Sequence, residues 1–476
     1  MSNVRQVPLL IGGEWVSGDG TIEVTDKYSG AVIAHAARAS REQVDAAVAS
    51  AKQSFEHHQL EPYRRFEILR KTSELIEQRR SSFVESIVGE SGFPVSDANN
   101  EVTRAVQTFL LSAEETKRIV GEMVPIQGAS GQSHRTAYTI RVPRGVVCGI
   151  TSFNSPLNMV AHKVAPALAA GNTVVIKPPG ATPISAASLC EILIEAGLPR
   201  AHVNLIQGPG GQIGNWLTSN PDIRFYTFTG STVVGKALHQ AVGLRPIALE
   251  LGSIAATIVC SDADLARAVP RCVNSAFRRA GQACTSIQRL FIDEEVFDQF
   301  AGMLVDATRA LKVGDPHSPE TEVGPMISVD EAIRAERWIH EAVQLGATLI
   351  QGGKRERALL QPSILRDVRN DMKVMCDEIF APVMSIIPFR SFDDAIRQVN
   401  STPFGLAAGV FTQDVNRAIK ATRELHVGIV HINESSSSRV DLVPFGGVKD
   451  SGLGREGPRY AIQEMTEERL ITISTL

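Results

Sequence analysis

The chain is poor in cysteine, with six in 476 residues, and poor in aromatic residues, at 5%. The cysteines are Cys148, Cys190, Cys260, Cys272, Cys284 and Cys376. They are too sparse for a disulfide framework. None forms a CxxC and no Cys/His spacing resembles a zinc site, so no metal is expected. An excess of charge of one sign is also missing. The net charge of −4 argues against a nucleic-acid binder and against an acidic, solvating chain. No run of about 18 apolar residues suggests a membrane span. The start, MSNVRQVPLLIGGEW, lacks the basic-then-apolar order of a signal peptide, and the cytoplasm is the expected location. What is present is 43% apolar residues with mixed charge. The length calls for two large domains, or two plus an appendage.

The N-terminus reads as a hairpin, PLLIGGEW and TIEV about a turn at SGDG. From Ser40 to about Ile119 the pattern is helical. There SREQVDAAVASAKQSF opens on a serine cap and repeats apolar residues at helical spacing. After about Gly121, β-rich runs alternate with helical ones. The runs are GVVCGI (145–150), NTVVIKP (172–178), VNLIQG (203–208), IRFYTFTG (223–230) and AATIVC (255–260). Such alternation implies right-handed βαβ units and a mostly parallel sheet covered on both faces, with ligands beyond the carboxyl ends of the strands. A second alternating block runs from about Leu251 to Val448 and includes RLFID, ATLIQGG, SIIPFR, AAGVFT and GIVHIN. It looks like a second α/β domain. The tail RLITIST is expected to be a strand pairing elsewhere, another subunit included, because its backbone would otherwise be an open edge.

Four cysteines, Cys148, Cys190, Cys260 and Cys272, sit in apolar or helical patterns and read as small core residues. Cys284, in GQACTS, has glycine and polar neighbours, which suits a nucleophile or a structural thiol. GPGGQIG (208–214) follows a strand and opens a helix but misses GxGxxG by one residue, and a plain turn fits it equally. FTGSTVVG places Gly230 and Ser231 where a strand becomes a helix. Free N–H groups and the helix dipole there favour a phosphate, with an ordinary turn as the alternative. Lys177 ends the run VVIKP; it either reaches solvent along its stem or binds a ribose hydroxyl or phosphate.

Seven stretches then occur in one order: SFNSPLN (152–158), VVIKP (174–178), FTGSTVVG (228–235), LELG (249–252), GQACTS (281–286), DEIFAPV (377–383) and PFGGVKDSGLGRE (444–456). With them, and with the 34-residue interval from Glu250 to Cys284, the chain resembles the aldehyde dehydrogenase superfamily over essentially its full length. The subgroup it looks most like holds lactaldehyde, non-phosphorylating glyceraldehyde-phosphate and phosphonoacetaldehyde dehydrogenases. The resemblance implies an α/β fold in three parts. They are a Rossmann-like cofactor domain (1–121 and 144–251), a second α/β catalytic domain (252–455) and a small β oligomerisation arm (122–143 and 456–476). It implies NAD or NADP as cofactor, an aldehyde substrate and a homodimer or homotetramer. It makes Cys284 the catalytic thiol, which attacks the aldehyde carbon. Asn154 and the Cys284 backbone N–H become oxyanion donors, and Glu250 the base that hydrolyses the thioester. Glu378 and Phe380 resemble the pair at the nicotinamide ribose. Lys177, Gly180, Gly210, Gly211, Gly230 and Ser231 fall at the adenosine and pyrophosphate contacts. Lys449 reads as structural.

Three departures from the family pattern matter. The run after Lys177 is Pro178-Pro179-Gly180, where strongly NAD-selective members often carry a glutamate at the last position. Without that carboxylate a 2′-phosphate meets no like charge, so NADP is expected to be accepted. The usual ELGGK is ELGSI, with Ser253 and Ile254 beside the base. The substrate tunnel looks polar, with Ser155, His162, Arg278 and Arg439 where relatives taking apolar aldehydes have aromatic residues, Phe445 retained, and Arg104 in EVTRAV. Arginine holds a carboxylate bidentately, so a small, polar or anionic aldehyde is expected; ion pairs unrelated to substrate are the alternative. Ser435 to Ser438 reads as a mobile loop over the tunnel mouth or a linker. Two other functions compete: an acyl-CoA-forming dehydrogenase, against which Glu250 argues, and a non-catalytic protein on the same fold.

Overall fold

The computed structural model describes residues 4–475. From Ser40 onward four helices run in succession: Arg41–His57, Pro62–Gln78, Arg80–Ser91 and Val95–Thr116. Ser40 starts the first through a capping box with Gln43. The N-terminal hairpin pairs Leu9–Ile11 with Glu14–Val16. Its turn is Gly12-Gly13, at φ +62° and +91°, rather than SGDG, because a two-residue hairpin loop needs positive φ and glycine supplies it. The strand Thr21–Thr25 pairs instead with Val32–Ala37.

Five parallel strands form the centre of an eight-stranded sheet, in spatial order Ile247–Glu250, Ile223–Thr229, Val146–Ile150, Thr173–Lys177 and Val203–Leu205. Alternate residues feed opposite cores. Val147, Val174 and Ile176 enter the core with helices Val95–Thr116 and Asn158–Ala169, whereas Val146, Cys148 and Val175 enter the one with helix Arg41–His57. Both faces are therefore buried, which is why these strands read as unbroken apolar runs. The chain winds outward in one direction from Val146–Ile150, then returns and winds in the other. The crevice at that reversal lies beyond the carboxyl ends of the strands.

A second sheet has seven strands, in order Thr348–Gln351, Ser363–Arg366, Val383–Phe389, Arg289–Asp293, Ala256–Val259, Ala407–Phe411 and Ile429–Ile432. All are parallel except the first. Ala256–Val259, which continues the first series of strands in the sequence, belongs here, between Arg289–Asp293 and Ala407–Phe411. A third, small sheet pairs Thr466–Ser474 with Arg135–Pro143 of the same chain, residue against residue from Thr466↔Pro143 to Ser474↔Arg135, and adds Met123–Val124.

Around the expected boundary between 455 and 456, segments on both sides pack with the first sheet. Gly452–Leu453, inside the expected 252–455 segment, pairs antiparallel with Ile247–Glu250 and completes the first sheet's edge. Helix Pro458–Glu464, inside the expected arm, buries Ala461 and Ile462 in the core of the first sheet. The apolar face of that helix has its partner there, and the arm strand starts only at Thr466. No helix among the described residues is long and apolar enough to cross a membrane.

Candidate active site

A cavity of about 790 Å3 opens at the strand reversal, between the first sheet and the second. Thr151 and Ser152 follow one strand into its wall, Lys177 ends the next, and Gly230 and Ser231 follow a third. Helix Gly210–Ser219 presents Gly210 and Gly211, with nothing within 4 Å of where a Cβ would stand. Helix Thr232–Val242, capped by Ser231, presents the exposed Val233 and Val234 across the same space. The Lys177 ammonium is buried and donates to the Pro178 carbonyl at 3.1 Å. Burial lowers its pKa to about 8. A buried cation, free amides at two helix N-termini and an apolar slot suit the ribose, pyrophosphate and adenine of a dinucleotide. Gly180 is also in the wall, and a side chain there would meet only Ile22 Cδ1, at 3.9 Å.

Glu378 and Phe380 stand at the other end of this wall. Glu378 accepts the Ser253 N–H at 2.9 Å, and burial raises its pKa to about 7. Phe380, at φ +49°, meets Phe153 edge-on with ring centroids 5.8 Å apart. The ELGSI variation leaves this backbone tied. The Gly252 N–H donates to Thr232 Oγ1 at 3.2 Å and its carbonyl accepts from Ser451 Oγ at 2.7 Å. Lys449 donates to the carbonyls of Asn400 and Thr402, at 2.9 and 3.2 Å.

Cys284, Asn154 and Glu250 come together in the wall from three separate stretches. Asn154 is fixed at both ends of its amide. Its Nδ2 donates to the Gln282 carbonyl at 2.9 Å, and its Oδ1 accepts from Ser152 Oγ at 2.7 Å. One N–H of the amide is left over (an amide nitrogen carries two). Glu250 ends its strand with both carboxyl oxygens buried and without a partner. A Cβ on Gly446 would come 3.0 Å from Glu250 Oε1, so glycine in the PFGG motif keeps that space open. Burial, and then repulsion from Glu456, pushes the Glu250 pKa well above the usual carboxylate range. Burial pushes the Cys284 thiol up to about 12, with Arg439 opposing. Burial thus favours the neutral form of both groups.

Of the six residues expected around the substrate, Arg439 and Phe445 line this cavity. The Arg439 guanidinium lies 3.7 Å from the Phe445 ring centroid, donates to Glu456 Oε2 at 3.2 Å, stands 3.2 Å from His162 Nε2, and has its buried Nε 3.9 Å from Asp441 Oδ1. Arg278 stands one layer back, partly exposed. It donates to the Ser437 hydroxyl at 2.7 Å and the Ser437 carbonyl at 3.3 Å, and its Nε is buried without a partner. No carboxylate pairs with it among the described residues. Burial lowers its pKa to about 10, and Cys284 is among the groups it senses. Arg104, Ser155 and His162 are not in the wall. Arg104 grips Asp441 bidentately at 3.0 and 2.7 Å. His162, fully buried, has Nε2 at 2.8 Å from the same carboxylate. Ser155 is buried, and its carbonyl accepts the Met159 N–H at 2.9 Å. Their polar groups or burial commit these three to holding the framework and the loop that carries Arg439. Nor is the serine run a mobile loop: Ser435, Ser436 and Ser437 are buried, with Ser436 Oγ donating to the Thr285 carbonyl at 2.8 Å.

Five residues at the site escaped the sequence reading: Glu101, Lys163, Arg279, Asp441 and Glu456. Lys163 and Glu456 form a buried ion pair at 2.6 Å. A lysine inside the buried helix Asn158–Ala169 signals that some partner exists. The partner lies 293 residues away, which no local spacing reveals.

Comparison with known proteins agrees with this geometry. The model of the aldehyde dehydrogenase family matches residues 15–471. The 3-sulfolactaldehyde dehydrogenase of Priestia megaterium is 44% identical over 474 residues, covering 100% of this chain and 99% of that protein. Aldehyde dehydrogenase 21 of Physcomitrella patens, solved with its reaction product succinate, superposes with a TM-score of 0.96 at 34% identity over 99% of each chain. Glyceraldehyde-3-phosphate dehydrogenase GapN of Methanocaldococcus jannaschii, solved with NADP, superposes with a TM-score of 0.92 at 37% identity, covering 95% of this chain and 99% of that one. The chain belongs to the aldehyde dehydrogenase family and is an NAD(P)-dependent oxidoreductase.

Proposed function

We propose that this enzyme oxidises a small aldehyde carrying a carboxylate, phosphate or sulfonate to the free carboxylic acid. One observation carries the choice of an anionic substrate. The Arg439 guanidinium lines the cavity with Cys284, and Arg278 stands one layer behind it with no carboxylate partner among the described residues. A planar, always-charged donor fork is suited to such anions. The names of the relatives point the same way, through a sulfonated aldehyde, a dicarboxylate product and a phosphorylated aldehyde.

Bound NAD or NADP supplies the hydride acceptor. Lys177, Gly180, Gly210, Gly211, Gly230 and Ser231 would hold its adenosine and pyrophosphate, and Glu378 with Phe380 its nicotinamide ribose. Glu250 takes the proton from Cys284 Sγ, and the thiolate adds to the aldehyde carbon. The leftover N–H of Asn154 Nδ2 and the Cys284 backbone N–H hold the resulting oxyanion. As the oxyanion collapses, the carbon loses hydride and becomes a thioester on Cys284. Glu250, having released that first proton to solvent, then removes a proton from water, which attacks the thioester; the Cys284 thiolate leaves as the acid forms and takes the proton back from Glu250. The base beside the thioester supports water as acceptor in place of coenzyme A.

The reading includes a homodimer or homotetramer, supported by exposed Met123, Leu470 and Ile473 on the small sheet. It places the enzyme in the cytoplasm, supported by six free cysteines. Optical assay of NAD and NADP reduction, without coenzyme A, tests the function on paired anionic and neutral aldehydes of equal length. The anionic partner is expected to have a kcat/KM at least about tenfold higher, since charge-assisted hydrogen bonds contribute roughly 1.5–3 kcal/mol. Equal turnover would leave the chemistry and remove the anionic substrate.

A further inference from the structure

Two irregular stretches meet under the cavity, the one carrying Asn154 and the one leading to Cys284. We propose that Arg279 is a positioning residue that sets the Asn154 amide against Cys284. The proposal rests on the reading of Asn154 as an oxyanion donor.

Four hydrogen bonds form a closed ring across the two stretches. Arg279 Nη1 donates to the Asn154 carbonyl at 2.8 Å. Asn154 Nδ2 donates to the Gln282 carbonyl at 2.9 Å. Gln282 returns to Arg279, whose carbonyl accepts its side-chain Nε2 and its backbone N–H, each at 3.1 Å. Cys284 follows two residues after Gln282, so the ring fixes the separation of amide and thiol.

Arg279 is itself held at several points, although its buried Nε has no hydrogen-bond partner. Its side chain is 6% exposed. Its guanidinium lies 4.9 Å from the Phe93 ring centroid, and its backbone N–H donates to Asp97 Oδ2 at 3.2 Å. Its Nη2 stands 3.5 Å from Glu101 Oε2. Glu101 is fully buried, and its Oε1 accepts the N–H groups of Leu157 and Asn158, at 2.9 and 3.2 Å. Arg279 therefore grips one end of the 154–158 segment while its carboxylate neighbour grips the other. Arg279 and Ala280 both have φ of +53°, a left-handed conformation that non-glycine residues keep only where their surroundings impose it. The strained backbone turns the Arg279 guanidinium towards Asn154. A role confined to neutralising Glu101 would not need the shorter bond to the Asn154 carbonyl.

The test is R279N, since asparagine tolerates left-handed backbone and removes the guanidinium. Three rates are read: aldehyde oxidation, hydrolysis of p-nitrophenyl acetate at Cys284, and alkylation of Cys284 by iodoacetamide. The first two pass through a tetrahedral oxyanion and the third does not. Both oxyanion reactions are expected to fall at least about tenfold in kcat, in step, with alkylation and the KM for NAD unchanged, against the roughly 100- to 1,000-fold of losing a whole donor. In an N154A background, R279N is expected to add little. An equal fall in alkylation, or the full R279N loss persisting in N154A, would overturn the proposal. Full activity in N154A alone would instead remove the oxyanion reading on which it rests. If R279N does not fold, R279K is measured against the same three rates, and a ratio of oxyanion to alkylation rates equal to that of the parent overturns the proposal.

Discussion

At the scale of the residue, burial tunes the two reacting groups. Glu250 is driven well above the usual carboxylate range by burial and by Glu456, yet it must be ionised to take a proton from water. The ionised fraction grows with pH, so kcat is expected to rise with pH along a limb centred above the ordinary glutamate value. Removing the like charge in E456Q lowers the Glu250 pKa and moves that limb to lower pH; an unmoved or raised midpoint in the pH–rate profile would contradict this. Gly180 carries a second prediction. A Cβ at this position would meet only Ile22 Cδ1, at 3.9 Å. The parent enzyme is expected to use NADP and NAD with kcat/KM values within about tenfold, and G180E to raise the KM for NADP at least about tenfold with little change for NAD. A strong NAD preference in the parent would contradict it. Cys284, Glu250 and Asn154, singled out through the motifs of the resemblance, do line one cavity. Arg104 was misplaced because its charge is spent on Asp441, 337 residues away, and a sequence shows a cation without showing what it faces.

At the scale of the element, the parallel strands were legible wherever both faces are buried. Ile247–Glu250 and Ser363–Arg366 were exceptions, neither being singled out as a strand from the sequence. The hairpin turn was misread because SGDG and Gly12-Gly13 both carry turn chemistry, and only pairing decides between them. The left-handed run before the cysteine was not legible, since Arg279 and Ala280 are not residues that favour positive φ. Its last member, Gly281, has φ +68°, and a Cβ there would fall 2.1 Å from the Ala381 carbonyl oxygen. G281A combines backbone strain of roughly 1–3 kcal/mol with that collision. It is expected to lower the melting temperature and abolish oxidation together. A variant with parental melting temperature and activity would mean that the loop is not as constrained as drawn.

At the scale of the molecule, alternation of strand and helix gave two sheets, but not where the chain passes between them. The final segment returns to the first sheet through Gly452–Leu453 and helix Pro458–Glu464, which brings Gly446 against Glu250 and Glu456 against Lys163. Composition carries no trace of such a return, and the expected boundary falls inside it. The small sheet ends on Thr466–Ser474, whose outer edge has no partner among the described residues. Leu470 and Ile473 on it are 58% and 51% exposed. Exposed apolar side chains beside an open edge suit burial against a second copy. The parent is expected to run as a dimer or tetramer in light scattering coupled to size exclusion, and L470D/I473D as a smaller species. Unchanged mass in the double variant would move the interface elsewhere.

In the proposed reaction Cys284 carries the acyl group and Glu250 delivers the water that releases it. A single-turnover experiment with E250Q tests it most directly. The variant is mixed with aldehyde and cofactor near pH 9, where the thiol ionises more readily without its base, and followed by absorbance and by intact and peptide mass. The account predicts reduced cofactor approaching one equivalent per site, an acyl adduct on the peptide containing Cys284, and free acid forming at least about 100-fold more slowly than in the parent. Acid released at the parental rate, or reduced cofactor formed with Cys284 unmodified throughout, would contradict it.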